Sequence, residues 1–251
     1  ISIVNQKGGV GKTTTAINLG TALAAIDKKI LLIDLDPQGN LSTGIGVTEK
    51  QRTNSVYDLI TQSLSIHKTI QETKIPNLKI IPSNINLSGI EFELAADEDR
   101  TNKLNNKING LAGEYDVVLI DCPPSLGILT VNSLVASDSV LVPLQCEFYA
   151  LEGLAQLLRT IEKVKENLNP NLFLEGVVLT MFDSRNRLSD DVVADAREHL
   201  GKKVFETIIP RNVRLSEAPS HGLPAIIYDQ KCIGSLAYID LAKELINRLG
   251  I

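Results

Sequence analysis

The chain has 251 residues, of which 43% are hydrophobic, and its formal net charge at pH 7 is −5. A chain of this length and composition can bury a single substantial core, as α/β domains of this size do. No run approaches the roughly 20 apolar residues that cross a bilayer, which argues against an integral membrane protein. The cysteines, Cys122, Cys146 and Cys232, are isolated and lack metal-ligand spacing, so they indicate a reducing cytosol and predict no metal site.

A short apolar strand at residues 1–4 leads directly into a glycine-rich loop and then into a predicted helix. Glycines lack a Cβ and allow successive N–H groups to turn toward an anion, while the helix adds free N–H groups and its positive dipole end. In such a loop Lys12 reaches the β- and γ-phosphates and Thr13 offers its hydroxyl to Mg²⁺. The predicted phosphate-binding residues are Lys7, Gly8, Gly9, Val10, Gly11, Lys12, Thr13 and Thr14.

The loop departs from the general pattern G-x-x-x-x-G-K-[ST], because Gln6 occupies the first glycine position and a second lysine, Lys7, follows it. Residues 7–13 resemble the deviant P-loop, K-G-G-x-G-K-[ST], of the ParA/MinD superfamily of nucleotide-switch ATPases. This resemblance implies ATP and Mg²⁺ as cofactors and an ATP-dependent homodimer. In that dimer Lys7 contacts the partner's nucleotide, while Lys12 acts within its own subunit. Two facing phosphate tails require such additional positive charge.

Two acidic residues follow the continuously apolar run at residues 30–33. Such a run is typical of a strand buried on both faces of a parallel sheet, and acids at its carboxyl end point into the ligand crevice. Asp36 resembles the family residue that positions the attacking water, so the predicted catalytic residues are Lys7, Lys12 and Asp36. For Asp34 three interpretations stay open: it supports the Mg²⁺ shell, supports the loop, or caps the next turn.

A third apolar run, at residues 117–120, ends in Asp121. A hydrophobic run that ends in aspartate is a weak signal alone, but it becomes strong after a phosphate loop and an Asp-x-Asp pair. Asp121 resembles the Walker B aspartate, which holds Mg²⁺ through water because this ion gives up its hydration shell reluctantly. We therefore expect a magnesium site formed by Thr13, Asp36 and Asp121, with both acids acting through water.

Strand and helix patterns alternate through the rest of the chain. Further strands are predicted at 78–82, 139–143, 174–180 and 204–209, and helices at 13–26, 87–111, 150–167 and 189–200, with Ser189 as an N-cap. This alternation predicts an α/β fold with a doubly wound, mostly parallel sheet, helices on both faces, and one domain at residues 1–251. The least regular segment, 48–99, is expected to cover the nucleotide face or to form part of a dimer surface.

Residues 34–40, 179–185 and 208–222 are specifically similar to the ParA/Soj chromosome-partitioning proteins, and the likeness extends over nearly the whole chain. It implies that Pro210 and Asn212 contact the adenine. A buried amide can hydrogen-bond the edge of the base while the proline ring packs against it.

The same resemblance implies that Arg185 and Arg214 bind double-stranded DNA without sequence specificity. From the residues alone, a solvated arginine paired with Asp183 or Glu217 is the better interpretation, because the net charge is negative and acids and bases nearly balance in this part of the chain. DNA contact is favoured once the resemblance is included, and a dimer would double a small number of backbone contacts.

The resemblance implies an ATPase that acts as a dimerisation switch: the Mg-ATP dimer binds DNA, and slow hydrolysis to ADP and phosphate releases it. A ParB/Spo0J-type centromere-binding protein would accelerate hydrolysis, and the protein would be cytoplasmic and associated with the nucleoid. Two alternatives stay open. One is a MinD-like, membrane-associated division-site ATPase, and the other is a metabolic P-loop ATPase or ligase on the same fold.

An apolar stripe near the C-terminus bears on the first alternative, since MinD-like relatives use a C-terminal amphipathic helix as a membrane anchor. The stripe consists of Tyr238, Leu241, Ala242, Leu245 and Leu249. Its polar face mixes acids with bases and lacks the lysine-rich surface that anionic lipids attract. We therefore expect this helix to pack against the sheet, with no membrane contact.

Overall fold

The computed structural model describes residues 1–62 and 64–251. Its strands form one eight-stranded sheet in the order β3-β4-β2-β5-β1-β6-β7-β8. The strands are β1 (Ser2–Ile3), β2 (Ile30–Asp34), β3 (Gln71–Glu72), β4 (Leu78–Ile81), β5 (Val117–Asp121), β6 (Ser139–Gln145), β7 (Phe173–Phe182) and β8 (Val204–Pro210). Neighbouring strands are parallel except for the antiparallel pair β3 and β4. The predicted α/β class and mostly parallel sheet are confirmed.

Helices lie on both faces of this sheet. The α-helices of the described residues are α1 (Lys12–Ala24), α2 (Asn40–Gly44), α3 (Val56–Thr61), α4 (Ile90–Glu93), α5 (Lys103–Ile108), α6 (Ile128–Val135), α7 (Ala150–Asn167), α8 (Arg187–Leu200), α9 (Val213–Glu217), α10 (Ala225–Tyr228) and α11 (Ile233–Leu249). Leu31 and Ile33 of β2 belong to the core that contains α6, α7 and α8, while Ile30 and Leu32 belong to the core that contains α1 and α11. Alternate side chains of one strand therefore enter opposite cores, which explains why the strand sequence is apolar throughout.

The sheet places the carboxyl end of β1 at its centre. Strand β1 is hydrogen-bonded to β5 on one side and to β6 on the other, so the direction of strand order changes there. Ligands of open α/β sheets bind in the crevice at such a switch point. Asp121 lies opposite both Ile3 of β1 and Asp34 of β2 in the strand register. The end of β1 and two acidic strand ends therefore converge on one crevice.

The predicted helix at 87–111 is wrong. The structure has α4 and α5 there, separated by turns, because the intervening segment is polar and bonds to itself. The Asp97 carboxylate accepts a 2.9 Å hydrogen bond from the Asp99 N–H and forms an ion pair with Lys103. Such local bonds from an aspartate compete with helix formation.

The predicted cap of α8 is also misplaced. Helix α8 begins at Arg187, and the side chain of Asn186 accepts a 3.1 Å hydrogen bond from the Leu188 N–H. Ser189 is buried inside the helix. Asparagine and serine are comparable N-caps, so composition alone did not distinguish these two positions.

The C-terminal helix α11 packs inward as predicted. Tyr238, Leu241, Ala242 and Leu245 are buried in the core that also contains α1, and the Tyr238 hydroxyl lies 3.1 Å from the Thr15 hydroxyl. Among the helices of the described residues, none has both the length and the apolar character needed to cross a membrane.

Candidate functional site

Hydrogen bonds on both sides fix the conformation of the loop between β1 and α1. Asn5 donates from Nδ2 to the Pro143 carbonyl at 2.8 Å and accepts from the Lys7 N–H at 3.0 Å. Thr180 donates from Oγ1 to the Val10 carbonyl at 2.8 Å. Gly9 and Gly11 have φ angles of 75° and 92°, which L-residues with a side chain rarely adopt. The loop therefore exists as a formed anion cradle at the N-terminus of α1.

Lys12 lies beneath this cradle. Its side chain is buried, and its Nζ donates a 2.9 Å hydrogen bond to the Lys7 carbonyl, which fixes the ammonium group at the loop. Burial lowers the pKa of Lys12, while the nearby Asp121 carboxylate opposes that change. The arrangement places a positive charge where phosphates would bind.

Asp34 and Asp36 have different surroundings. Asp34 is fully buried and accepts hydrogen bonds from the Ser42 N–H at 2.9 Å, the Ser42 hydroxyl at 2.6 Å and the Asp36 N–H at 3.2 Å. Burial raises the pKa of Asp34 to about 6 despite these bonds. Of the three interpretations of Asp34, support of the loop and capping of the next turn both match these bonds, since Ser42 lies in the first turn of α2. Asp36 reaches the cavity wall, where its Oδ1 accepts a 3.0 Å hydrogen bond from the Gln38 N–H.

Asp121 is a carboxylate buried at the end of β5. Neither of its oxygens has a partner within the described residues, and the side chain is fully buried. Burial raises its pKa well above the usual value and the neighbouring Asp34 adds to this, while the Thr13 hydroxyl and Lys12 beside it lower it. Buried polar groups are rarely left unpaired. This donor set fits a hydrated divalent cation.

Two adjoining cavities extend from the loop. The first, here called the loop cavity, has a volume of about 460 Å³ and includes Gly8, Gly9, Gly11, Lys12, Thr13, Thr14 and Asp36 in its wall. The second, the Pro210 cavity, has a volume of about 260 Å³ and includes Pro210 and Asn212. Both are bordered by Gly11, Thr14, Met181 and Pro219. Asn212 caps α9, because its side-chain Oδ1 accepts a 2.9 Å hydrogen bond from the Arg214 N–H. Its side-chain NH₂ group is left for other partners.

The remaining predicted residues lie around this centre. Val10 is the buried residue of the loop, and Asp121 is fully buried close to Thr13 and Lys12 without lining the loop cavity. The Lys7 side chain is 53% exposed and forms an ion pair with Glu147 at the start of the segment that leads into α7. The structure therefore brings the loop, Asp36 and Asp121 together, and places Lys7 at the rim of the crevice.

Arg185 and Arg214 lie on the surface in ion pairs of their own chain. Arg185 is bound by the Asp183 carboxylate at 2.9 and 2.8 Å, and hydrogen bonds from Arg185 hold the pKa of Asp183 at about 2. Arg214 lies 2.8 Å from Glu217 and 3.4 Å from Asp229. Both pairings considered from the sequence are present.

Three residues of the site were missed in the sequence. Thr180 lies near the carboxyl end of β7 and Glu147 follows the end of β6, positions where polar residues commonly serve ligands. Met181 borders both cavities and has a φ angle of 54°, which is unusual for a residue with a side chain. A polar residue at a strand end is visible in sequence, but the backbone of Met181 is not.

Comparisons with known proteins agree with this geometry. Residues 1–174 match a family model described as an AAA domain. The chain is 55% identical over 250 residues to the chromosome partitioning protein ParA of Caulobacter vibrioides (strain NA1000 / CB15N), covering 99% of this chain and 94% of that protein. It is 50% identical over 245 residues to the sporulation initiation inhibitor protein Soj of Bacillus subtilis (strain 168), covering 98% and 97%.

A solved structure is also similar over the full length. Cobyrinic acid a,c-diamide synthase from Mycobacterium smegmatis, with bound ATP analog and magnesium, has a TM-score of 0.88 and 37% identity, covering 99% of this chain and 94% of that one. The curated relatives, at 50–55% identity over nearly the full length, identify the family. The chain belongs to the ParA/Soj family of chromosome-partitioning ATPases.

Proposed function

We propose that this protein is an ATP-dependent dimerisation switch for DNA segregation. The observation that carries the proposal is the pair of lysines in one loop: Lys12 is buried under the phosphate cradle, whereas Lys7 is exposed at its rim. A lysine that serves only its own subunit's phosphates has no reason to lie at the rim. A rim lysine can reach a nucleotide in a facing subunit.

ATP fits the two adjoining cavities. Its phosphates would be held by the loop from Lys7 to Thr14, and its base would enter the Pro210 cavity, where the Asn212 NH₂ group and the Pro210 ring can contact it. Mg²⁺ would be held by the Thr13 hydroxyl and, through water, by Asp36 and Asp121, whose carboxylate oxygens make no geometrically complete hydrogen bond within residues 1–62 and 64–251. The ion would supply charge neutralisation at the phosphates.

Hydrolysis requires a water molecule oriented toward the terminal phosphate. Asp36 is the carboxylate in the wall of the loop cavity, and the Gln38 N–H holds one of its oxygens. The remaining carboxylate oxygen is the group that we assign to orient this water and accept its proton. Lys12 and Lys7 stabilise negative charge on the phosphates, one from each subunit.

On dimerisation, Lys7 would exchange Glu147 for the phosphates bound to the facing subunit. In the single chain Lys7 pairs with Glu147, and the two aromatic side chains that follow Glu147 are strongly exposed: Phe148 is 73% and Tyr149 is 71% accessible. Exposed aromatic residues beside a charged rim are typical of protein interfaces. A second copy of this chain would cover them and offer its phosphates to Lys7.

DNA binding would use Arg185 and Arg214. Each is paired with acids of its own chain, so duplex phosphates must replace those acids, and this gives weak, salt-sensitive binding without sequence preference. With this assignment, the protein would be cytoplasmic and associated with the nucleoid. A ParB/Spo0J-type partner would release it from DNA by accelerating hydrolysis.

Co-sedimentation tests the proposal. With plasmid DNA, the protein should pellet in the presence of ATP and Mg²⁺, and remain in the supernatant with ADP or without nucleotide. With anionic liposomes it should remain in the supernatant in every nucleotide state. Liposome binding would support the MinD-like alternative, and a lack of DNA binding in all states would favour a metabolic ATPase or ligase.

A further inference from the structure

The loop that carries Asp36 is contacted from outside by an arginine of the irregular segment before α3. The Arg52 guanidinium reaches back to α2: its NH2 group donates to the Thr43 hydroxyl at 2.7 Å and to the Val47 carbonyl at 3.1 Å, and its Nε donates to the same carbonyl at 3.3 Å. The planar guanidinium of Arg52 thus links residue 52 to residues 43 and 47 by hydrogen bonds. Among residues 1–62 and 64–251, no carboxylate forms an ion pair with Arg52.

The contacts continue from Arg52 to Asp36. The Thr43 hydroxyl, which accepts from Arg52, donates at 3.1 Å to the Gly39 carbonyl, and the Gly39 N–H donates at 2.9 Å to the Asp36 carbonyl. Gly39 has a φ angle of 62°, and a Cβ placed on it would lie 3.2 Å from Cζ of Arg52 and closer still to one guanidinium nitrogen. The guanidinium therefore lies directly against the turn 36–39.

The inner side of the same turn is fixed independently. Asp34 accepts from the Asp36 N–H, and the Ser42 hydroxyl, bound to Asp34, accepts a 3.1 Å hydrogen bond from the Ser83 N–H. The turn is thus held between buried bonds on one side and Arg52 on the other. The Arg52 side borders solvent, since Arg52 lines an open groove of about 820 Å³ that shares Gln38 and Thr43 with the loop cavity.

We propose that Arg52 is a positioning residue for Asp36, an inference that rests on the catalytic role proposed for Asp36. Arg52 is absent from the wall of the loop cavity, so it acts through Thr43 and Gly39 and not on the nucleotide. A guanidinium binds the hydroxyl and the carbonyl together because its donors lie in one plane, and a lysine ammonium cannot reproduce that geometry. Loss of Arg52 frees the turn and displaces the water-orienting carboxylate.

Single-turnover ATP hydrolysis by the full chain tests this role. Arg52→Ala should lower the rate about 10-fold, within the roughly 10²-fold that a misplacement of about 1 Å can cost, with unchanged affinity for ATP. Arg52→Lys should give an intermediate rate. Because Arg52 borders an open groove, added guanidinium at low millimolar concentration should restore part of the rate to Arg52→Ala. The matched control is Arg197→Ala, which removes an exposed arginine of α8 and should hydrolyse at the wild-type rate.

Variants of Asp36 separate this inference from the proposed function. Asp36→Ala should be slow, and the double variant Arg52→Ala/Asp36→Ala should be no slower, because Arg52 acts through Asp36. A wild-type rate for Arg52→Ala beside a slow Asp36→Ala overturns the role of Arg52 alone. An additive further loss in the double variant, or a loss of ATP affinity equal to the loss of rate, also overturns it. A wild-type rate for Asp36→Ala refutes the catalytic assignment on which the inference rests.

Discussion

Without ligand, the wild-type protein should be less stable than a variant that has a neutral residue in place of Asp121. Its carboxylate is fully buried, both oxygens lack hydrogen-bond partners among the described residues, and Asp34 lies beside it in the strand register. Removing one of two neighbouring buried charges relieves both desolvation and repulsion. Asp121→Asn keeps the shape and removes the charge, so it should stabilise the nucleotide-free protein.

The size of the effect follows from the neighbouring acid. For Asp34, the pKa rises from 3.8 to about 6, which at about 1.36 kcal/mol per pKa unit corresponds to roughly 3 kcal/mol of lost stability above that pH. Burial raises the pKa of Asp121 in the same direction, and the neighbouring Asp34 adds to this, while the Thr13 hydroxyl and Lys12 oppose it only in part. We expect Asp121→Asn to gain about 1–3 kcal/mol, up to the size of the Asp34 effect, because it removes the charge while a polar amide stays buried. This corresponds to roughly 2–4 °C in Tm per kcal/mol for a chain of this size.

The direction of the pH dependence follows from the same groups. Both carboxylates have a higher pKa in the folded chain than in the unfolded chain, so the folded state binds more protons between those two values. The destabilisation from Asp34 is absent below about pH 4, near its unfolded pKa, and is fully developed above about pH 6, while that from Asp121 continues to develop at higher pH. The nucleotide-free wild type should therefore become less stable from pH 5 to pH 8, and Asp121→Asn should show a smaller decrease.

Urea unfolding measures the stability of the nucleotide-free protein. Thermal unfolding with Mg²⁺ and a non-hydrolysable ATP analogue then measures the stability gained from the ligand. Ligand at about 100 times its Kd should stabilise the wild type by about 2.7 kcal/mol and should not stabilise Asp121→Asn in a Mg²⁺-dependent way. Asp240→Asn is the control, since it removes an exposed acid of α11 and should change stability little. Lower stability of nucleotide-free Asp121→Asn would refute the uncompensated charge. A normal Mg²⁺-dependent gain would remove Asp121 from the metal site.

Three further predictions concern the switch itself. Lys12→Ala should abolish ATP binding, whereas Lys7→Ala should bind ATP but remain a monomer. Nucleotide titration measures the first effect and analytical ultracentrifugation the second. An ATP-dependent Lys7→Ala dimer of normal affinity would contradict the role of the rim lysine. Asp36→Ala should bind ATP and dimerise but hydrolyse it about 10²-fold or more slowly in a phosphate-release assay, and near-normal turnover would exclude it as the water-orienting group. Arg214→Ala should weaken binding to every duplex alike and flatten the slope of log affinity against log salt by roughly two in the dimer; unchanged affinity and slope would place the DNA surface elsewhere.

The sequence by itself determined the features that depend on neighbouring residues. The glycine loop followed by Lys12 and Thr13, and the apolar runs that end in Asp34 and Asp121, follow from local backbone freedom and from the apolar composition of strands buried on both faces. Their order along the chain was sufficient to predict the parallel sheet and the crevice in which they meet. The same local reasoning failed at 87–111, where the Asp97 carboxylate accepts a hydrogen bond from the Asp99 N–H and pairs with Lys103, which interrupts the helical pattern.

Only the tertiary structure decided which side chains meet across long separations. The register that places Asp34 beside Asp121, the exposure of Lys7 next to Glu147, and the reach of Arg52 to the Asp36 turn all depend on how distant segments pack. Arg52 lies in the segment where the sequence indicated no chemistry, because a single arginine in an irregular stretch carries no periodicity and no motif. Hydrophobic patterns specify which faces are buried, but hydrogen bonds between irregular segments depend on positions that only the packed sheet provides.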